Sequence, residues 1–244
     1  MANWSDPRAT AQARAAGVGA RDTAVDAGLR SYMLSVYNYM ASGVLLTGIV
    51  AYGFAVSGMA EAIFVSGGAL RYVVMFAPLL FVLALSFGIN RMSTFAAQAT
   101  FWAFAVVMGI SMSYIFLVFT GGSIATTFFA VAVAFAALSL YGYTTKRDLS
   151  GFGTFLIMGV VGLLVASLLN LFLKSPALMF AISGIGVLLF AGLTAYDTQK
   201  IKSIYFAVQG TDFYGKSIVL GALTLYLDFI NMFTFLLNFT GSRD

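Results

Sequence analysis

A chain of 244 residues that is 61% hydrophobic and 9% charged, with a mean hydropathy of +0.94 and a net charge of +4, is too apolar for a water-soluble domain, where about a quarter of residues are charged. It reads as an all-α polytopic membrane protein. With no cysteine and no histidine there is no disulfide, no thiolate or imidazole metal site and no histidine base, which excludes serine–histidine proteolysis and histidine-ligated zinc chemistry and leaves any pH response to carboxyl groups.

Residues 1–29 interleave Arg8, Arg14 and Arg21 with Asp6, Asp22 and Asp26 and hold no continuous apolar run. A mobile cytoplasmic tail is expected there rather than a secretory signal, which needs an apolar core. Residues 30–244 form the membrane domain, and their uncharged runs suffice for seven spans of about 20 residues each. The first lies within 31–60 and the second within 72–90. The run 92–145 is twice one span and is expected to fold back at Gly121-Gly122-Ser123. The fifth is 149–173, closed by Lys174-Ser175-Pro176; the sixth is 177–197 or somewhat beyond, and the seventh is 217–238. Small residues such as Gly184-Ile185-Gly186 and Ser111-Met112-Ser113 favour close helix packing.

Basic residues set the orientation. With a cytoplasmic amino terminus, only Arg71, Lys174 and Arg243 of the 13 Lys and Arg fall outside. The carboxyl terminus is then outside, as an odd number of spans requires. A retinal Schiff base is rejected, because Lys216 stands only at the edge of the last span.

Asp228 sits about midway along the last apolar run, where a lone ionised carboxylate costs several kcal/mol, so it needs a partner, a water-filled cavity or a proton. Asn231 follows three residues later on the same face. The preceding run ends in Ala195-Tyr196-Asp197-Thr198-Gln199-Lys200, which joins a phenol, a carboxylate and an amide. An ordinary Asp197–Lys200 ion pair at i, i+3 spacing is the plainer reading of that segment. Arg91, between spans two and three on the same side as Asp197, is either a positive-inside anchor or a cation that neutralises the acids in one conformation and leaves them in another.

The two acids meet only on a condition. Asp228 is about 11 residues, roughly 16 Å, into its helix, whereas Asp197 closes its run. They come together if the sixth helix continues past Tyr196, as Ile201, Ile204, Tyr205 and Phe206 permit, or if the seventh starts late. A pair in contact titrates in two coupled steps, and its deprotonated oxygens suit hard Ca²⁺ better than a soft metal. Tyr32, Tyr37, Tyr39, Tyr141, Tyr143, Tyr205 and Tyr214 fall near span ends, where interfacial rings are expected. The 11 methionines form no ligand pattern and read as packing residues.

Tyr196-Asp197-Thr198-Gln199 with Ile201-Lys202, followed by Leu225-Tyr226-Leu227-Asp228-Phe229-Ile230-Asn231, resembles the paired signature of the Bax inhibitor 1, or transmembrane Bax inhibitor motif, family. Val36-Tyr37-Asn38-Tyr39-Met40 is similar to the first span of its bacterial members. The resemblance implies a seven-helix bundle with the last helix central, and a pH-sensitive calcium leak whose sensor and cation contact are Asp197 and Asp228. It also implies that Tyr196, Gln199 and Asn231 support that pair and that Arg91 locks onto the helix-six aspartate. An acid that the family's bacterial leak protein carries in span two has no counterpart here, since 72–90 holds no Asp or Glu.

The leading expectation is therefore a proton-sensitive Ca²⁺ leak in a bacterial inner membrane, with Ca²⁺ as transported ion, no resident cofactor and no catalytic residue. The alternative is a membrane-embedded regulator of a membrane-bound protease or stress response, acting by protein interaction, with the 1–29 tail as contact. The expected partners are the lipid bilayer, Ca²⁺ and protons; dispersed basic residues give no nucleic-acid surface.

Overall fold

Short polar side chains start the helices where the uncharged runs begin. Ser93 accepts from Ala96 N, Thr120 from Ser123 N and Ser175 from Leu178 N, each closing an otherwise unsatisfied first turn, and Pro176 occupies the first turn after Ser175. A computed structural model describes residues 7–243, with side chains from Val25 onward. Its helices are α1 (Pro7–Val56), α2 (Met59–Phe64), α3 (Leu70–Gly88, continued by a 3₁₀ turn Ile89–Arg91), α4 (Thr94–Met112), α5 (Ile115–Val118), α6 (Gly121–Thr144), α7 (Ser150–Leu173), α8 (Pro176–Val208) and α9 (Tyr214–Thr240). Seven stretches are long and apolar enough to cross a membrane: Val25–Val56 of α1, Leu70–Arg91, Thr94–Val118, and the whole of α6, α7, α8 and α9. The fold is an all-α seven-span bundle.

One sequence expectation changes, and the condition set for the two acids is met. Gly121-Gly122-Ser123 is the first turn of α6 and not the reversal, because the Thr120 hydroxyl caps that helix; the chain reverses at Phe119 and Thr120, both extended. The sixth span runs on to Val208, well past Asp197. The backbone of the expected tail is helical from Pro7 and continuous with the first span. Residues 1–6 and the side chains before Val25 lie outside the described residues, so the tail's expected mobility and contacts fall largely on them.

Packing is closest where side chains are smallest. A Cβ on Gly142 would overlap Ala195 O, so α6 and α8 touch backbone to backbone beside Asp197, and one on Gly109 would come within 2.7 Å of Thr47 O on α1. Two-thirds of the apolar window of α9 is buried (67%), against 17–44% for the other spans. α9 packs against α8, α1, α6 and α4. The outward faces carry Leu80, Phe172 and Leu188, as lipid contact requires.

Not every tyrosine near a span end is an interfacial ring. Tyr32 is fully buried, gives its hydroxyl to Ser217 Oγ at 3.1 Å and stacks with Tyr205 and Tyr214 at 5.5 and 5.4 Å, so these three stitch α1, α8 and α9 together. At the opposite end, Thr120 N donates to Ser242 O, Ser242 N donates to Ser123 Oγ, and the Arg243 guanidinium lies 5.6 Å from the Phe119 ring, which ties the carboxyl terminus to the α5–α6 turn.

Candidate functional site

The α8–α9 hairpin sets the height of the two acids. From Asp197 to the end of α8 at Val208 is roughly 16 Å at 1.5 Å per residue, and from the start of α9 at Tyr214 to Asp228 is roughly 21 Å. The helices run antiparallel from one short loop, so the residues stand nearly level. Asp197 is 9% and Asp228 4% exposed, and their carboxyls lie within hydrogen-bonding reach of each other. Asp228 Oδ2 is buried with no donor among the described residues. Two carboxylates cannot hold such a contact while both are charged and unsolvated; a shared proton or a cation is needed.

The cation whose charge acts on Asp197 is Lys200, one turn along α8, and its ammonium lies 5.9 Å over the Tyr196 ring. Arg91 is exposed at the end of the 3₁₀ turn after α3 and does not figure among the charges acting on either acid. The structure thus brings Asp197 and Asp228 together and holds Arg91 apart from them.

The supporting residues divide. Gln199 accepts from Leu149 N at 2.9 Å and donates through Nε2 to Arg147 O at 2.8 Å, clamping the α6–α7 loop rather than touching the acids. The Tyr196 ring packs into the space left by Gly153 of α7. Asn231 donates to Leu227 O on its own helix at 2.8 Å, so the amide is satisfied locally and not by Asp228.

Sequence reasoning missed the polar seam behind the pair. Tyr226 OH and Thr47 Oγ1 meet at 2.6 Å, and Thr47 also donates to Ala105 O at 2.8 Å, so α9, α1 and α4 are joined in the interior. On the α6 side, Thr198 Oγ1 donates to Ser139 Oγ at 3.4 Å. A tyrosine two residues before the buried acid and a threonine in the middle of the first apolar run were the available signals.

Among the described residues no three Asp or Glu gather into a metal cluster. A Ca²⁺ at the pair would take most of its six to eight oxygens from water, which suits transit more than residence.

The sequence model of the family described as "Inhibitor of apoptosis-promoting Bax1" matches residues 29–244, which takes in the first span from Leu29 and the whole of the other six. The chain belongs to this Bax inhibitor family. Related members include RP147 of Rickettsia prowazekii (strain Madrid E), 50% identical over 220 residues that cover 89% of this chain and 92% of that protein. A protein of Caulobacter vibrioides is 47% identical over 232 residues, covering 91% and 92%. The inner membrane protein YbhL of Escherichia coli (strain K12) is 46% identical over 219 residues, covering 89% and 94%. Among the described residues of this Bax inhibitor chain, Asp197 and Asp228 are the two buried acids: Asp26, Glu61, Asp148 and Asp212 are all exposed.

Proposed function

We propose that this protein is a pH-sensitive Ca²⁺ leak of a bacterial inner membrane, with its amino terminus cytoplasmic, its carboxyl terminus outside and its last helix at the centre of the bundle. The observation that carries the reading is the buried contact of Asp197 with Asp228, one of whose oxygens has no donor among the described residues. An intramembrane acid marks an ion or proton path by default, and the pair can exchange a shared proton for a cation. The location follows YbhL, an inner membrane protein, together with the ten-to-three asymmetry of basic residues.

In this reading, proton loss leaves two charges that draw Arg91 inward from its exposed position and close the path, while protonation releases it. Lys200 moderates the charge on Asp197 throughout. The path is gated by helix packing and not by a resident metal.

Ca²⁺ entry into dye-loaded proteoliposomes, measured from about pH 6 to pH 8 for the wild type and for Asp197→Asn/Asp228→Asn, tests this directly. Flux that follows pH in the wild type and not in the double variant supports the leak. No flux above empty vesicles at any pH overturns it, in favour of a membrane-embedded regulator that works through protein contacts.

A further inference from the structure

α1 packs on α4 and α9, and α6 packs on α8 and α9, leaving a cleft between α1 and α6 that is floored by α9. Two cavities of about 630 and 290 Å³ follow one another along it and share Val44, Phe128 and Phe229. The walls are apolar almost throughout, with Ala132 and Ala136 on the α6 side leaving the slot open. Polar groups gather at one end, where Arg30, Tyr37 and Tyr143 form the rim. Lys202 adds a second cation there: its ammonium donates to Tyr143 O at 2.9 Å and lies 5.1 Å from the Tyr143 ring. Among the described residues no Asp or Glu lines either cavity.

Length and charge together select the occupant. The larger cavity follows the four turns of α1 from Arg30 to Leu45, roughly 22 Å at 1.5 Å per residue, a long apolar slot that an extended hydrocarbon chain can follow. The surroundings at this depth are lipid, so the chain is at hand, and the cationic rim favours a negative headgroup.

We propose that the α1–α6 cleft is a binding site for one anionic phospholipid, its acyl chain lying along the slot and its phosphate on Arg30. The chain would lie against Phe229, which follows Asp228, and beside Ser139, which accepts from Thr198, the residue after Asp197. A bound lipid therefore seals the outer side of the acid pair against water. The site stands whether or not the protein conducts Ca²⁺.

Native mass spectrometry of the purified full chain, titrated with phosphatidylglycerol or with phosphatidylcholine of the same acyl composition, reads the occupancy. The wild type should retain one phosphatidylglycerol in preference to phosphatidylcholine. Arg30→Gln, on the exposed rim, should lower phosphatidylglycerol affinity on the order of fivefold and leave phosphatidylcholine unchanged. Ala136→Phe, which fills the slot from an exposed position, should remove retention of both. Equal retention of the two lipids, or a preference that survives Arg30→Gln, overturns the site. So does a wild-type dimer that Ala136→Phe converts to monomer, which would make the cleft a seat for a second copy.

Discussion

Asp197 and Asp228 touch because α8 outlasts the apolar run that announces it. Had the helix stopped at Asp197, that acid would sit at its end while Asp228 lay nearly four turns up α9; the continuation to Val208 raises Asp197 to about the same level. The two acids are buried against each other, and Asp228 Oδ2 lacks a donor among the described residues. Protonation of this pair is the event on which the proposed leak turns.

Proton binding removes the charge that would hold Arg91, so Ca²⁺ flux should rise as pH falls from about 8 to 6. Asp228→Asn and Asp197→Asn should each flatten that profile. A single variant with the full wild-type pH response would show that the contact does not gate.

Arg91 starts exposed, so its loss should not destabilise the bundle. Arg91→Ala should raise flux at pH 8 several-fold and narrow the difference between pH 6 and pH 8, with thermal stability within about 0.5 kcal/mol of wild type. Unchanged flux at pH 8 would leave Arg91 as a topology anchor alone.

Tyr226→Phe removes one partner of a buried bond while Thr47 keeps Ala105 O, and should cost about 0.5–1 kcal/mol. Thr47→Val strands the Tyr226 hydroxyl in the interior and should cost about 1–2 kcal/mol. Reversible unfolding in mixed micelles would rank them, and the reverse order would mean that Thr47 and Tyr226 do not depend on each other.

The α6–α7 loop is pinned from two sides. Gln199→Leu leaves Leu149 N and Arg147 O without their side-chain partner, so amide protection at Leu149 should fall on the order of tenfold. Asp148, fully exposed, is held below the usual carboxylate range by the Ser150 hydroxyl and N–H. A carboxyl depressed in the folded state contributes above its unfolded value and loses that contribution as pH falls through the folded one. Protection at Ser150 should therefore hold down to about pH 4 and decline below it; protection that stays constant to pH 2 would dismiss the cap.

The spans were legible because hydrocarbon imposes a simple demand: about 20 uncharged residues per crossing. Boundaries were less so. Thr120 could not be distinguished from its glycine neighbours as the start of α6 until its hydroxyl was found on Ser123 N. Asp197 closes the apolar run of α8, and Ile201, Ile204, Tyr205 and Phe206 permitted a continuation without requiring it; Lys202 reaches Tyr143 O and Lys200 lies over Tyr196, so the charges project from a helix that goes on. Asn231 sits on the expected face but spends its amide on Leu227 O, because a helix interior always offers the nearest carbonyl.

By itself the sequence determined that this is a membrane bundle, that it has seven spans, and that neither a histidine nor a cysteine can titrate in its interior, since composition and run length answer to the solvent and not to the fold. Which acids meet, that Arg91 stands exposed, and that α1 and α6 part to leave an apolar slot were decided only by tertiary structure. Those properties depend on the relative height and spacing of helices distant in the chain, and local pattern carries no record of either.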